Sequence, residues 1–103
     1  MMNTNSADPA CKIVLVKQID RGCYKLKHPI RAWSIEEPDG SYSAVIHELE
    51  ILSRGGSPDE ALFNAFSEMF VLYELITRAP LSSVFNEEIL FYRYFLDNHI
   101  IKV

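Results

Sequence analysis

The polar and apolar positions of this 103-residue chain alternate with a period of two up to residue 54 and with a period near 3.6 from residue 58. "KIVLVKQI" (12–19) is β-rich and stops at "DRG", a turn signal. "CYKLKH" (23–28) sets Tyr24 and Leu26 against Lys25 and Lys27, and Pro29 closes it. A turn at Asp20-Arg21-Gly22 would fold these two segments into a hairpin. "RAWSIEE" (31–37) puts Arg31, Trp33 and Ile35 on one face, and Ala32, Ser34 and Glu36 on the other. "EPDGS" (37–41) predicts a tight turn, because Pro38 presets φ and Asp39-Gly40 tolerates the positive φ that follows. "YSAVIHE" (42–48) and "LEILSR" (49–54) are further strands. No turn residues separate them, so a bulge or sharp bend near Glu48–Glu50 is required.

After Arg54 the period changes at "GGSPDEALFNAF". Ser57 suits a helix N-cap, Pro58 the first helical position, and Glu60 completes an S-x-x-E capping box. A phosphate at this helix start would meet Asp59 and Glu60 instead of a lysine, and the G-x-x-x-x-G-K-[ST] pattern is absent. Gly55 and Gly56 therefore read as a strand-to-helix corner. The helix predicted over 58–78 carries Leu62, Phe66, Met69, Tyr73 and Ile76 along one stripe, widened by Ala65, Phe70 and Leu72. It is roughly 30 Å long, enough to cross a small sheet, and Pro80 prevents its continuation. A second helix is expected over 84–98, capped by Asn86, with Glu87 and Glu88 at its positive end and Phe85 stapled onto Leu90. Ile89, Tyr92 and Leu96 line one face, Phe91 and Phe95 another. A short helix apolar on several sides needs cover from several sides, inside the domain or across a subunit interface. A homo-oligomer, a dimer, is expected, with Phe91, Tyr92 and Phe95 as its candidate interface. The apolar end "IIKV" is suited to adding a strand to a sheet edge.

Composition narrows the class. The chain is 49% apolar, one domain's worth, and its six Phe, five Tyr and one Trp are expected to supply much of the core. The polar stretch 1–10 reads as a flexible tail, with a single domain over 11–103. No apolar run approaches a membrane span and no signal pattern opens the chain, so a cytoplasmic location and no membrane contact are expected. Cys11 and Cys23 would lie at different levels of the expected hairpin, too far apart for a disulfide. His28, His47 and His99 are scattered without metal-ligand spacing. No metal and no cofactor are expected.

Charge is unevenly placed. Residues 1–35 hold six basic and two acidic side chains, net +4, whereas 36–103 hold four basic and twelve acidic ones, net −8. The acids Glu36, Asp39, Glu48 and Glu50 lie on or between neighbouring strands and form a candidate surface for a small basic protein. The same acids are the residues a metal-dependent nuclease would use, but Asp39 is explained by its turn, and no enzyme is expected. Lys17, Lys25, Lys27 and Arg31 form a basic ribbon that suits nucleic acid, although no aromatic-basic signature accompanies it.

Residues 32–74 resemble the N-terminal domain of the HicB-like family, the antitoxin half of HicA–HicB toxin–antitoxin pairs. The resemblance rests on the "DGSY" hairpin, the strand "SAVIHEL" and "SRGGSPDEALFNAFSEMFVLY", in which Gly55, Ser57, Glu60, Ala61, Leu62 and Ala65 match the family pattern. It covers roughly 40% of the chain. The family's Pro-Asp-Leu-x-Gly-Cys turn is replaced here by His47-Glu48-Leu49-Glu50-Ile51. The 25 residues after the long helix are too few for a separate ribbon-helix-helix or helix-turn-helix module. The resemblance implies a partial ribonuclease H-like fold without catalytic acids and a toxin-like partner. Together these patterns predict an α+β domain: an antiparallel sheet of four or five strands, one long helix packed across it, an aromatic C-terminal helix and an extra N-terminal hairpin. The expected function is non-catalytic protein–protein interaction, with nucleic-acid binding through the basic ribbon as the alternative.

Overall fold

The computed structural model describes residues 11–19, 24–78 and 87–102. The tail 1–10, the turn at 20–22, Cys23 and the expected Phe85–Asn86 helix start lie outside the described residues. In chain order the elements are β1 (Cys11–Val16), β2 (Tyr24–Leu26), β3 (Ile30–Glu36), β4 (Tyr42–Ile46), a 3-10 turn (His47–Leu49), β5 (Ile51–Gly55), α1 (Pro58–Arg78), α2 (Glu87–His99) and β6 (Ile100–Lys102). The α+β expectation holds. Four strands form an antiparallel sheet in the order β1-β3-β4-β5, α1 packs across it, and α2 follows.

The pairing of the first two segments differs from the expected hairpin. β1 lies along β3, from Cys11–Ile35 to Val16–Ile30, while β2 pairs with β6 in a separate two-stranded ribbon, from Tyr24–Lys102 to Leu26–Ile100. Burial explains the split. Against β3, Val14 and Val16 stand beside Ala32 and Ile30 on the covered face of the sheet. Tyr24, freed from that sheet, stacks on Phe70 at 5.1 Å and meets Tyr73 edge-on at 5.7 Å. The C-terminal apolar residues supply the missing neighbour for β2.

The turn at 37–41 is built as its residues dictate. Gly40 takes φ +89°, and Asp39 Oδ1 accepts from both the backbone N–H (2.9 Å) and the hydroxyl (2.6 Å) of Ser41. Those bonds favour the ionised carboxylate and hold the Asp39 carboxyl below its usual range. At 47–50 the required bend is a 3-10 turn closed by Glu50 in the left-handed region (φ 54°, ψ 37°), whose N–H donates to the His47 carbonyl at 3.1 Å. The bend turns Leu49 into the core and starts β5 opposite β4 at the Ile46–Ile51 pair.

At the other end of β5, the glycine corner serves the helix start. A Cβ on Gly55 would sit 2.6 Å from Ala61 N, so only glycine lets α1 begin this close to the strand. Ser57 Oγ accepts from Glu60 N–H at 3.1 Å, as the capping box requires. The Glu60 carboxylate reaches back one residue further than expected, to Gly56 N–H rather than that of Ser57. Asn64 Nδ2 donates to the Arg54 carbonyl at 2.8 Å and fixes the helix to β5 a turn later.

The core between α1 and the sheet has an alanine seam. Ala32, Ala44, Ala61 and Ala65 are all fully buried, which allows close approach, while Ile30, Ile46, Met69, Phe70 and Leu96 fill the space around them. Burying each of those larger chains stabilises the fold by about 2 kcal/mol. The expected aromatic core is only partly present. Phe66 and Phe70 are inside, but Trp33 lies on the uncovered face of the sheet and Phe63, Phe91 and Tyr94 are exposed. Strand alternation, with Ala32 turned inward, puts Trp33 on the other face. The chain end is anchored by buried Leu96 and Ile100. Lys27 also closes the end of α2, its N–H donating to the His99 carbonyl (2.7 Å) and its Nζ to that of Asp97 (2.9 Å). Among the described residues no helix is long and apolar enough to cross a membrane.

Candidate protein-docking site

The four acids expected to form one surface are divided by the topology. Glu36 and Asp39 lie at the β3–β4 turn, whereas Glu48 and Glu50 lie at the β4–β5 bend. Antiparallel strands place those two connections at opposite ends of the sheet. Their chemistry differs as well. Asp39 is engaged by Ser41, and Glu48 Oε2 lies 3.7 Å from Arg31 Nη2. The nearby Glu37, not singled out by its sequence, lies 3.8 Å from Arg54 and accepts a hydrogen bond from the buried Ser43 hydroxyl. No single acidic patch spans all four.

The bend instead gathers its two acids with the start of α2. His47, Glu48, Glu50, Glu87, Glu88, Phe91 and Tyr92 line a depression of about 480 Å³. Tyr92 is its hinge. The phenol donates to Glu88 Oε1 (2.8 Å) or Glu50 Oε1 (2.9 Å), and one proton can serve only one of them at a time. Two carboxylates thus converge on a single hydroxyl at the edge of the depression. Loss of hydration, then the bonds to Glu88 and Glu50 and their negative charges, push the Tyr92 hydroxyl above its ordinary range. Phe91, packed edge-to-face against Tyr92 at 6.3 Å, is half exposed and supplies an apolar wall.

This arrangement suits a cationic group arriving with several N–H donors and an aliphatic stem, which is what a lysine or arginine side chain offers. Glu87 and Glu88 read in the sequence as charges complementing a helix dipole, and that local explanation hid their second neighbourhood. Glu50 and Tyr92 are 42 residues apart in the chain, so no local pattern announces their contact.

Of the three aromatic residues expected at an oligomer interface, Tyr92 is engaged in these bonds. Phe95 is stacked on His99 at 4.1 Å, and Phe91 is the most exposed of the three. The basic ribbon is dispersed, because β2 left β1. Lys17 and Lys25 border one depression of about 630 Å³, Lys27 caps α2, and Arg31 pairs with Glu48. Cys11 is a half-buried free thiol on β1. Among the described residues no group of three or more His, Cys, Asp or Glu side chains is arranged to hold a metal ion. In comparisons with known proteins, no family model, no curated protein and no solved structure matches the chain.

Proposed function

We infer that this chain is a non-catalytic, cytoplasmic protein–protein interaction module of the HicB type, whose partner is a small basic protein. The observation that carries the reading is the convergence of Glu50 and Glu88 on the single Tyr92 hydroxyl, inside a depression also edged by Glu48, Glu87 and Phe91. A basic side chain seated there would bring charged N–H donors up to the carboxylates around Tyr92. Opposite charge would speed the encounter and select the partner more than it would add affinity. The resemblance of residues 32–74 to antitoxin domains points the same way, toward an RNA-cleaving toxin-like partner.

The test combines capture with isosteric neutralisation. The tagged chain, expressed in its native cell, should retain a small basic protein. The Glu50→Gln, Glu87→Gln, Glu88→Gln variant should lose it while keeping its circular dichroism spectrum. Recovery of the chain alone, or equal capture by the neutralised variant, would refute the reading. The second reading, nucleic-acid binding, is supported by Lys17 and Lys25 at one depression. With two phosphate contacts, log K against log salt would have a slope of only about −2, and Lys25→Glu should abolish the binding.

A further inference from the structure

The face of the sheet that α1 does not cover carries an unbroken apolar row. Ile13 pairs with Trp33, Trp33 with Val45, and Val45 with Leu52, so one residue from each of the four strands stands in line. Ile13, Leu15 and Leu52 are 56%, 55% and 62% exposed, and Trp33 is 37% exposed. Soluble chains rarely leave such a contiguous patch bare. We propose that this open sheet face is a self-association surface on which a second copy of the chain docks face to face, and that this dimer is separate from the acidic depression and goes beyond the partner reading.

Two features favour a second copy as the occupant, and a third sets how tightly it can bind. The first is charge. The two guanidiniums beside the row are already matched within their own chain, Arg31 with Glu48 (3.7 Å) and Arg54 with Glu37 (3.8 Å). The face therefore offers no net sign to attract a strongly basic protein or a nucleic acid, and none to repel its own copy. The second is shape. A two-fold axis parallel to the strands, lying between two sheets about 10 Å apart, sets β1 over the partner's β5 and β3 over the partner's β4. Within the row, Trp33 then meets a valine and Ile13 meets a leucine, a large ring against a small branched chain. This is the self-complementarity an isologous contact needs.

The third is size. Four strands about 4.8 Å apart, read over five residues at about 3.4 Å, make a plate of roughly 19 by 17 Å. That footprint is smaller than the roughly 800 Å² per partner of a standard stable interface. The dimer is accordingly weak and transient, populated only at high protein concentration and dissolving on dilution.

Trp33 is the only tryptophan in the chain, so it reports directly on this face. Sedimentation equilibrium of the full chain should show a monomer–dimer equilibrium. Trp33 emission should shift to the blue, and become less accessible to acrylamide, over the same concentration range. Leu52→Lys and Ile13→Lys alter exposed positions and should keep the fold, checked by circular dichroism, yet each should weaken dimerisation by roughly tenfold or more. Phe91→Lys, in the acidic depression, should leave dimerisation unchanged. A chain that stays monomeric at high concentration overturns the proposal. So does a dimer in which Trp33 remains as accessible as in the monomer, or one lost with Phe91→Lys but not with Leu52→Lys. If Leu52→Lys instead abolishes capture of a basic protein by a monomeric chain, the face belongs to that partner and the self-association is wrong.

Discussion

Gly55 and Ser53 are neighbours on one strand under the same helix, and they set opposite limits on its packing. At Gly55 the space is already full. Replacing it with alanine puts Cβ 2.6 Å from Ala61 N and 2.9 Å from the Glu60 carbonyl carbon, both backbone atoms that cannot swing away. Gly55→Ala should therefore cost roughly 1–3 kcal/mol, the usual range for overpacking, read as a fall in the denaturant midpoint. Gly56→Ala meets only the end of the Glu60 side chain at 3.4 Å, and its effect should be much smaller. At Ser53 the fault is chemical. Its hydroxyl is buried with no hydrogen-bond partner among the described residues, and an unmade bond of this kind costs about 1–3 kcal/mol. Ser53→Ala should raise the melting temperature, and a fall would mean that the hydroxyl has a partner after all.

Elements differ in how far their own residues determine them. α1 was legible to its end residues, because Ser57, Pro58 and Glu60 mark its start and its apolar stripe repeats for 21 residues. The 37–41 turn was equally legible, since its chemistry is contained in five consecutive residues. The partner of β1 was not, because the choice between β2 and β3 depends on what each strand packs against, and that is fixed by residues 70, 73 and 100–102. The candidate site shares this limit: Glu48 and Glu50 were visible as exposed acids, but only the docking of α2 brings Tyr92, Glu87 and Glu88 to them. That docking has a pH signature. The Tyr92 hydroxyl titrates above its unfolded value of 10.0. Its contribution to stability is thus fully present below pH 10, and it declines above that as the unfolded chain releases a proton that the folded chain keeps. Unfolding free energy measured from pH 8 upward should fall beyond pH 10 more steeply in the wild type than in Tyr92→Phe. Parallel curves would mean that Tyr92 does not bind the two carboxylates in solution.

On the scale of the whole molecule, the two proposed contacts use different physics and adjoin at Glu48, which lines the depression and pairs with Arg31 beside the sheet face. The depression at the 47–50 bend is bordered by four carboxylates, in the part of the chain that carries net −8. The open sheet face is an apolar row whose two adjacent arginines are neutralised in place. Salt should therefore separate them. At 0.1 M the screening length is about 10 Å and at 1 M about 3 Å, so raising salt across that range removes most long-range steering. Capture of the basic partner should slow, mainly through its association rate. Apolar burial does not depend on such steering, and a strongly hydrated salt such as sulfate strengthens it. The proposed dimer should hold its population in sodium chloride and gain population in sodium sulfate over the same titration. If dimer and partner capture decline together, one charged surface serves both contacts. If they part, the sheet and the bend are two independent docking faces, one selecting a foreign chain by charge and the other gathering copies of this one by shape.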